Sequence, residues 1–301
     1  MVDFKKIMVC IDFTEIDEAL IKYTEKLLGS FQIDSIVFLH IIQRKQSNFF
    51  GQSDDDNRKS VGAIKNELNN YLSNLTKGFT QKWLIDIFEG DINDKIFEAT
   101  KKYDIDLLVM GRKHDLDDSE GLPKRTVKKS GCSVLLVPEA PVKEIKNLLV
   151  PIDFSEYAAF AVKVALALAG PAAKVHCQHV YEVPSGYHRS GKDYYEFAKV
   201  MAKHAENDTA TFIKKYNLPK EKLDFTNTLD ENNTTAKIII TFAKKNGIDF
   251  ICMGSKGRTG AASIFMGSVA DDIVSLNDIF PLLVVKKKNE NLGLFDAISR
   301  L

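Results

Sequence analysis

The sequence has no net charge, little cysteine and no long apolar run, and each lack removes a class of protein. Its 301 residues carry 41 Lys+Arg against 41 Asp+Glu, so the whole chain exerts no electrostatic pull on nucleic acid or anionic lipid. Neither nucleic acid nor a membrane is expected as a partner. No apolar stretch approaches the roughly 20 residues needed to cross a bilayer. The start, Met1-Val2-Asp3-Phe4-Lys5-Lys6, leads directly into a strand-like run, and a cytoplasmic location is expected. Cys10, Cys132, Cys177 and Cys252 sit in or beside apolar runs, with no CxxC pair and no Cys/His spacing suited to zinc. They read as buried, reduced thiols. What is present is a 45% hydrophobic chain near the length at which one core divides into two, so two domains are expected.

The chain repeats itself once. Lys6-Ile7-Met8-Val9-Cys10-Ile11-Asp12-Phe13-Thr14-Glu15 returns as Asn147-Leu148-Leu149-Val150-Pro151-Ile152-Asp153-Phe154-Ser155-Glu156. Phe38-Leu39-His40-Ile41 answers Cys177-Gln178-His179-Val180, and Asp104 to Gly111 answers Gly247 to Gly254. The closing runs Val134-Leu135-Leu136-Val137 and Pro281 to Val285 correspond as well. Four landmarks in one order indicate a tandem duplication. The expected domains are 1–141 and 144–288, divided near Pro138-Glu139-Ala140-Pro141, with 289–301 as a tail.

In the second half, strands are expected at 147–152, 174–180, 222–229, 248–253 and 281–286. Helices are expected at 155–169, about 192–216, 234–246 and about 267–277. Such alternation calls for right-handed crossovers and a parallel sheet covered on both faces. The fold class is therefore α/β, two tandem open five-stranded parallel sheets with helices on both faces. Open parallel sheets bind ligands beyond the carboxyl ends of their strands. There the second half carries Asp153 after its first strand, Val180 after its second and Gly254 after its fourth. The last opens Gly254-Ser255-Lys256-Gly257-Arg258, and Gly267-Ser268 starts the next helix. Gly254 and Gly257 let the chain turn and approach a ligand without a Cβ in the way. The helix start offers free N–H groups and the Ser268 hydroxyl to an anion, while Lys256 and Arg258 add charge. The pattern is a phosphate cradle, yet neither the GxxxxGK[ST] loop nor GxGxxG.

On these residues the sequence resembles the universal stress protein superfamily in its tandem form. ATP-binding members of that family carry G-2x-G-9x-G-[S/T] after the fourth strand, and Gly254, Gly257, Gly267 and Ser268 keep that spacing. Both halves also begin with an apolar strand ending in Asp and Ser/Thr, so the likeness covers nearly the whole chain. The resemblance implies a Rossmann-like nucleotide-binding sandwich that holds ATP or another adenine nucleotide, with Mg2+ as its companion ion. Family positions around the base match Pro151, Ile152, Asp153, Val180 and Met253, and the phosphate stretch matches Gly257, Gly267, Ser268 and Val269. It further implies a stress-response sensor or regulatory module. The two halves would pair as an intramolecular pseudo-dimer through residues near 133–138 and 281–286, with a further homodimer as an extension.

The first half departs from the pattern. After Met110-Gly111, His114 replaces the second Gly, and Asp115, Asp117, Asp118 and Glu120 enter a shortened loop. Glu120-Gly121 followed by Leu122-Pro123 replaces Gly-Ser. Carboxylates repel phosphate, so a degenerate site is expected there. A cation held by Asp115, Asp117 and Asp118 is the alternative. His40 and His179, at matching strand ends, read as packed, hydrogen-bonded residues. Lys286-Lys287-Lys288 reads as a solubilising edge. Two further functions stay open beside nucleotide binding: a slow ATPase or phosphotransferase using Asp153 with a metal ion, and a ligand-free scaffold. No catalytic residue is assigned, and no protein metal site is expected.

Overall fold

The computed structural model describes residues 4–43, 60–112, 121–258 and 266–287. They fall into two compact units, one running to Val142 and the other from Lys143. The acidic loop of the first half and the tail lie outside the described residues.

The first unit runs β1 (Lys6–Cys10), α1 (Ile16–Ser30), β2 (Ser35–Ile42), α2 (Val61–Leu75), β3 (Lys82–Glu89), α3 (Ile92–Lys102), β4 (Leu107–Arg112), α4 (Leu122–Lys129) and β5 (Ser133–Pro138). Its strands are parallel in the order β3-β2-β1-β4-β5. The second unit runs β6 (Asn147–Pro151), α5 (Glu156–Leu168), β7 (Lys174–Glu182), α6 (Tyr194–Tyr216), β8 (Leu223–Asp230), α7 (Thr235–Lys245), β9 (Phe250–Gly254), α8 (Ser268–Leu276) and β10 (Leu282–Val285). Its parallel order is β8-β7-β6-β9-β10. Within this unit α5 meets α6 and α7 packs on α8, which puts one helix pair on each face.

The apolar runs become the strands because a sheet covered on both faces needs side chains that are buried on both. Ile7, Val9, Leu107, Val109, Leu148, Val150 and Ile251 are all fully buried. A repeated carboxylate closes the start of each sheet. Asp106 accepts the N–H groups of Lys5 and Lys6 at 2.9 Å, and Asp249 accepts those of Lys146 and Asn147 at 3.2 and 3.0 Å.

Strand order reverses at β1 in the first unit and at β6 in the second. On either side of β6 the chain departs in opposite directions, which opens a crevice above the carboxyl ends of β6 and β9.

Two expectations need correction. Lys286 is buried, and the half-buried Lys287 pairs with Glu156 at 2.7 Å and lies over the Tyr157 ring, so these two lysines are held by the fold instead of forming a solvated edge. Helix α6 begins at Tyr194, two residues after the expected start. Asp193 and Glu196 form a capping box there, with Glu196 N–H on Asp193 at 2.8 Å and Asp193 N–H on Glu196 at 3.2 Å.

Candidate functional site

At the reversal point of the second unit lies a cleft of about 590 Å³. All twelve residues singled out in the sequence line it: Pro151, Ile152, Asp153, Val180, Met253, Gly254, Lys256, Gly257, Arg258, Gly267, Ser268 and Val269.

Asp153 ties the floor together. One carboxylate oxygen accepts the Ser155 N–H at 3.1 Å and the other the Arg258 N–H at 2.7 Å, joining the end of β6 to the loop after β9. The next residue, Phe154, sits in the left-handed region at φ 65°, a conformation that costs a side-chain-bearing residue about 1–2 kcal/mol. Its ring is held against His179 (centroids 4.3 Å apart) and Phe212 (5.7 Å). Ser155 then caps α5 by accepting the Ala158 N–H at 3.1 Å.

The glycines act differently from the expectation. Neither Gly254 nor Gly257 adopts a positive φ. A Cβ on Gly254 would lie 2.9–3.0 Å from the Cβ and backbone of Tyr157, and one on Gly257 would lie 2.7 Å from the Asp153 carboxylate. Both are small because the protein itself presses on them. Gly267 is the exception, since among the described residues a Cβ there meets nothing nearer than 3.6 Å.

Helix α8 opens toward the cleft without a side-chain cap on Gly267, so the first-turn amides at Ser268, Val269 and Ala270 have no partner within the helix. Lys256 is buried and lines the same end, and Arg258 is exposed beside it. In the first unit Gly121 takes the cap position of α4, so Leu122 stands where the second unit has Ser268. This shifts the expected Glu120-Gly121 match by one residue. Pro123 follows in the first turn and has no N–H to offer.

At the other end of the cleft is the backbone of Val180. The Ile152 N–H donates to the Gln178 carbonyl at 2.8 Å, so Gln178 faces β6. Two residues on, Val180 turns its N–H and C=O to the same side, where β6 has already ended at Pro151, while β7 stays paired to β8 through Glu182. His179, between them, is structural as expected. Its Nδ1–H donates to the Ile152 carbonyl at 2.9 Å, as His40 does to Ile11 at 2.8 Å. Burial pushes the His179 imidazole below its ordinary pKa, which keeps the ring neutral at neutral pH despite Asp153 and Asp208 nearby.

Sequence reasoning missed the wall that α6 contributes, Met201, His204, Ala205 and Asp208, together with Thr235 and Ile239 of α7. The i, i+3, i+4, i+7 spacing on α6 was the available signal. Cys132, Cys177 and Cys252 are buried as expected and all four cysteines are free, whereas Cys10 departs from the expectation in being half-buried, its thiol pushed up by burial to about 12. The cation alternative at Asp115, Asp117 and Asp118 lies outside the described residues.

The model of the Universal stress protein family matches residues 3–138 and again 144–286, nearly the whole chain. The chain belongs to the universal stress protein family. Universal stress protein MJ0531 of Methanocaldococcus jannaschii is 29% identical over 143 residues, 47% of this chain and 82% of that protein. Two solved structures share the fold along the full length. A universal stress protein of Archaeoglobus fulgidus has a TM-score of 0.62 and 16% identity, covering 96% of this chain and 98% of its own. A functionally unknown protein of Pseudomonas aeruginosa PAO1 has 0.69 and 16%, covering 99% and 98%. In this universal stress protein no helix among the described residues is long and apolar enough to cross a membrane.

Proposed function

We propose that the second half binds ATP or a related adenine nucleotide and that the protein acts as a stress-response sensor or regulatory module. The observation that carries this reading is the assembly of all twelve residues around one cleft with chemically different ends. At one end, uncapped α8 amides, the Ser268 hydroxyl, Lys256 and Arg258 suit phosphate oxygens. Gly267, on which no described residue presses closely, leaves room for the phosphates to approach. At the other end, one residue's N–H and C=O, those of Val180, suit a ring-nitrogen acceptor beside an exocyclic amino donor, the pattern on adenine's pairing edge. Guanine presents the reverse pattern there. Ile152 and Met253 supply apolar walls for the base.

Asp153 belongs to the scaffold of this site. Both its carboxylate oxygens already accept backbone N–H groups, which leaves it poorly placed as a general base and disfavours the ATPase reading. Among the described residues no group of three His, Cys, Asp or Glu could hold a metal, so Mg2+ would arrive on the triphosphate. The pairing of the two halves through residues near 133–138 and 281–286, and of the chain with a second copy, belongs to the same proposal, as does a cytoplasmic location.

The test is calorimetric titration of ATP into wild-type protein and Gly267→Val. The valine side chain should lower affinity at least about tenfold by blocking the phosphate approach. Equal affinities would remove the cleft assignment.

A further inference from the structure

The two units build the same strand-end turn and then fill it differently. Phe13 repeats the left-handed conformation of Phe154, at φ 63° against 65°. In the second unit the position four residues after Phe154 is Ala158, which lines the cleft. In the first unit the matching position is Asp17, which is 0% exposed. Its two carboxylate oxygens accept the Phe13 N–H at 2.9 Å and the Asp12 N–H at 3.3 Å. Capping changes with it: Ser155 caps α5, whereas the Thr14 hydroxyl donates to Asp12 and α1 has no side-chain cap.

We propose that Asp17 is an internal ligand, which fills the place that Ala158 leaves open in the second unit and engages the amides at its own strand end, so that an aspartate here is by itself enough to refuse an adenine nucleotide. The physical reason is double. The carboxylate adds three heavy atoms where alanine leaves space, and it sets a buried negative charge beside Asp12 where a nucleotide would have to sit. Burial and Asp12 raise the Asp17 pKa to about 6, opposed by the amide bonds, so the group remains largely ionised at neutral pH. The contact between Asp17 and its two amides stands on geometry alone. The claim of refusal rests on the nucleotide reading of the second half, because that half shows what the unfilled turn would accept.

The decisive variant moves the aspartate into the second unit of the full chain, as Ala158→Asp. ATP affinity should fall at least about 100-fold against wild type, and the Asp153 and Phe154 amide protons should move downfield in a heteronuclear NMR spectrum. Lowering the pH from 8 to 5 should restore affinity relative to wild type as the introduced carboxyl is neutralised. Binding within about threefold of wild type, or loss of binding with both amides unmoved, overturns the proposal. Asp17→Ala supplies a second measurement that does not depend on ATP. The Asp12 and Phe13 amide protons should move upfield, and unchanged shifts overturn the contact. Wild-type protein that binds no ATP at millimolar concentration would instead overturn the reading of the second half, leaving the Asp17→Ala spectrum to decide the contact.

Discussion

At the residue scale, one buried carboxyl makes the first unit pH-sensitive. Burial pushes the Asp17 carboxyl up to about 6 in the folded protein, from an ordinary value of 3.8. Because the folded value is raised, the folded state binds the proton more tightly than the unfolded chain. That contribution is fully present below about pH 4 and is lost as pH rises through about 6. Asp17→Asn removes the titration. The stability difference between wild type and variant should therefore change by on the order of 2 kcal/mol between pH 4 and pH 7, in the variant's favour at pH 7. Trp83, the one tryptophan in the sequence, lies on β3 of the same unit and reports its unfolding in urea. Parallel pH profiles for the two proteins would contradict the assignment. The titratable groups coupled to Asp17 are Asp12, Cys10 and Tyr71, and the Asp17 charge acts with burial to raise the Tyr71 phenol.

At the scale of elements, the start of one helix separates the two halves. Helix α8 presents Ser268 and Val269 in its first turn, whereas α4 presents Leu122 and Pro123. A proline near a helix start is structurally harmless, because the N–H it removes has no intrahelical partner. The cost falls on an anion that needs that N–H. Val269→Pro should therefore leave thermal stability nearly unchanged and weaken ATP binding about tenfold, with AMP affected less if the lost amide faces the outer phosphates. Calorimetry beside a thermal melt separates the two effects. A fall in melting temperature that accounts for the lost affinity would count against the amide's role. The helix boundaries themselves were legible, since Ser155 and Gly170-Pro171 bracket α5 and the 3.6-residue period marks α7. The spacing on α6 marks one helix face, but that this face walls the cleft was not legible, because its residues are distant in sequence from every strand end.

At the scale of the whole molecule, the asymmetry between the units predicts one adenine nucleotide per chain. Equilibrium dialysis with ATP should saturate at a ratio near one, and GTP should compete poorly, because the Val180 N–H and C=O meet the opposite pattern on guanine. A ratio near two would overturn the closed reading of the first half, and equal competition by GTP would remove Val180 as the reader of the base.

The duplication and the α/β class are written in the sequence, and its resemblance to a family completes the set of twelve residues that line one cleft. The duplication and the class are carried by periodicities and spacings of residues close together in the chain, whereas Pro151, Ile152, Met253 and Val269 entered through the resemblance to the family. The sequence also placed His40 and His179 in packed, hydrogen-bonded roles. What each residue does in the cleft depends on the folded chain. Gly254 and Gly257 are small because Tyr157 and Asp153 press on them, Asp153 straps two loops together, and Asp17 folds back onto its own strand-end amides. These are contacts across a hundred residues or across one tight turn. Which atoms meet is set by the backbone path and the packing of helix on sheet, and spacing alone carries neither.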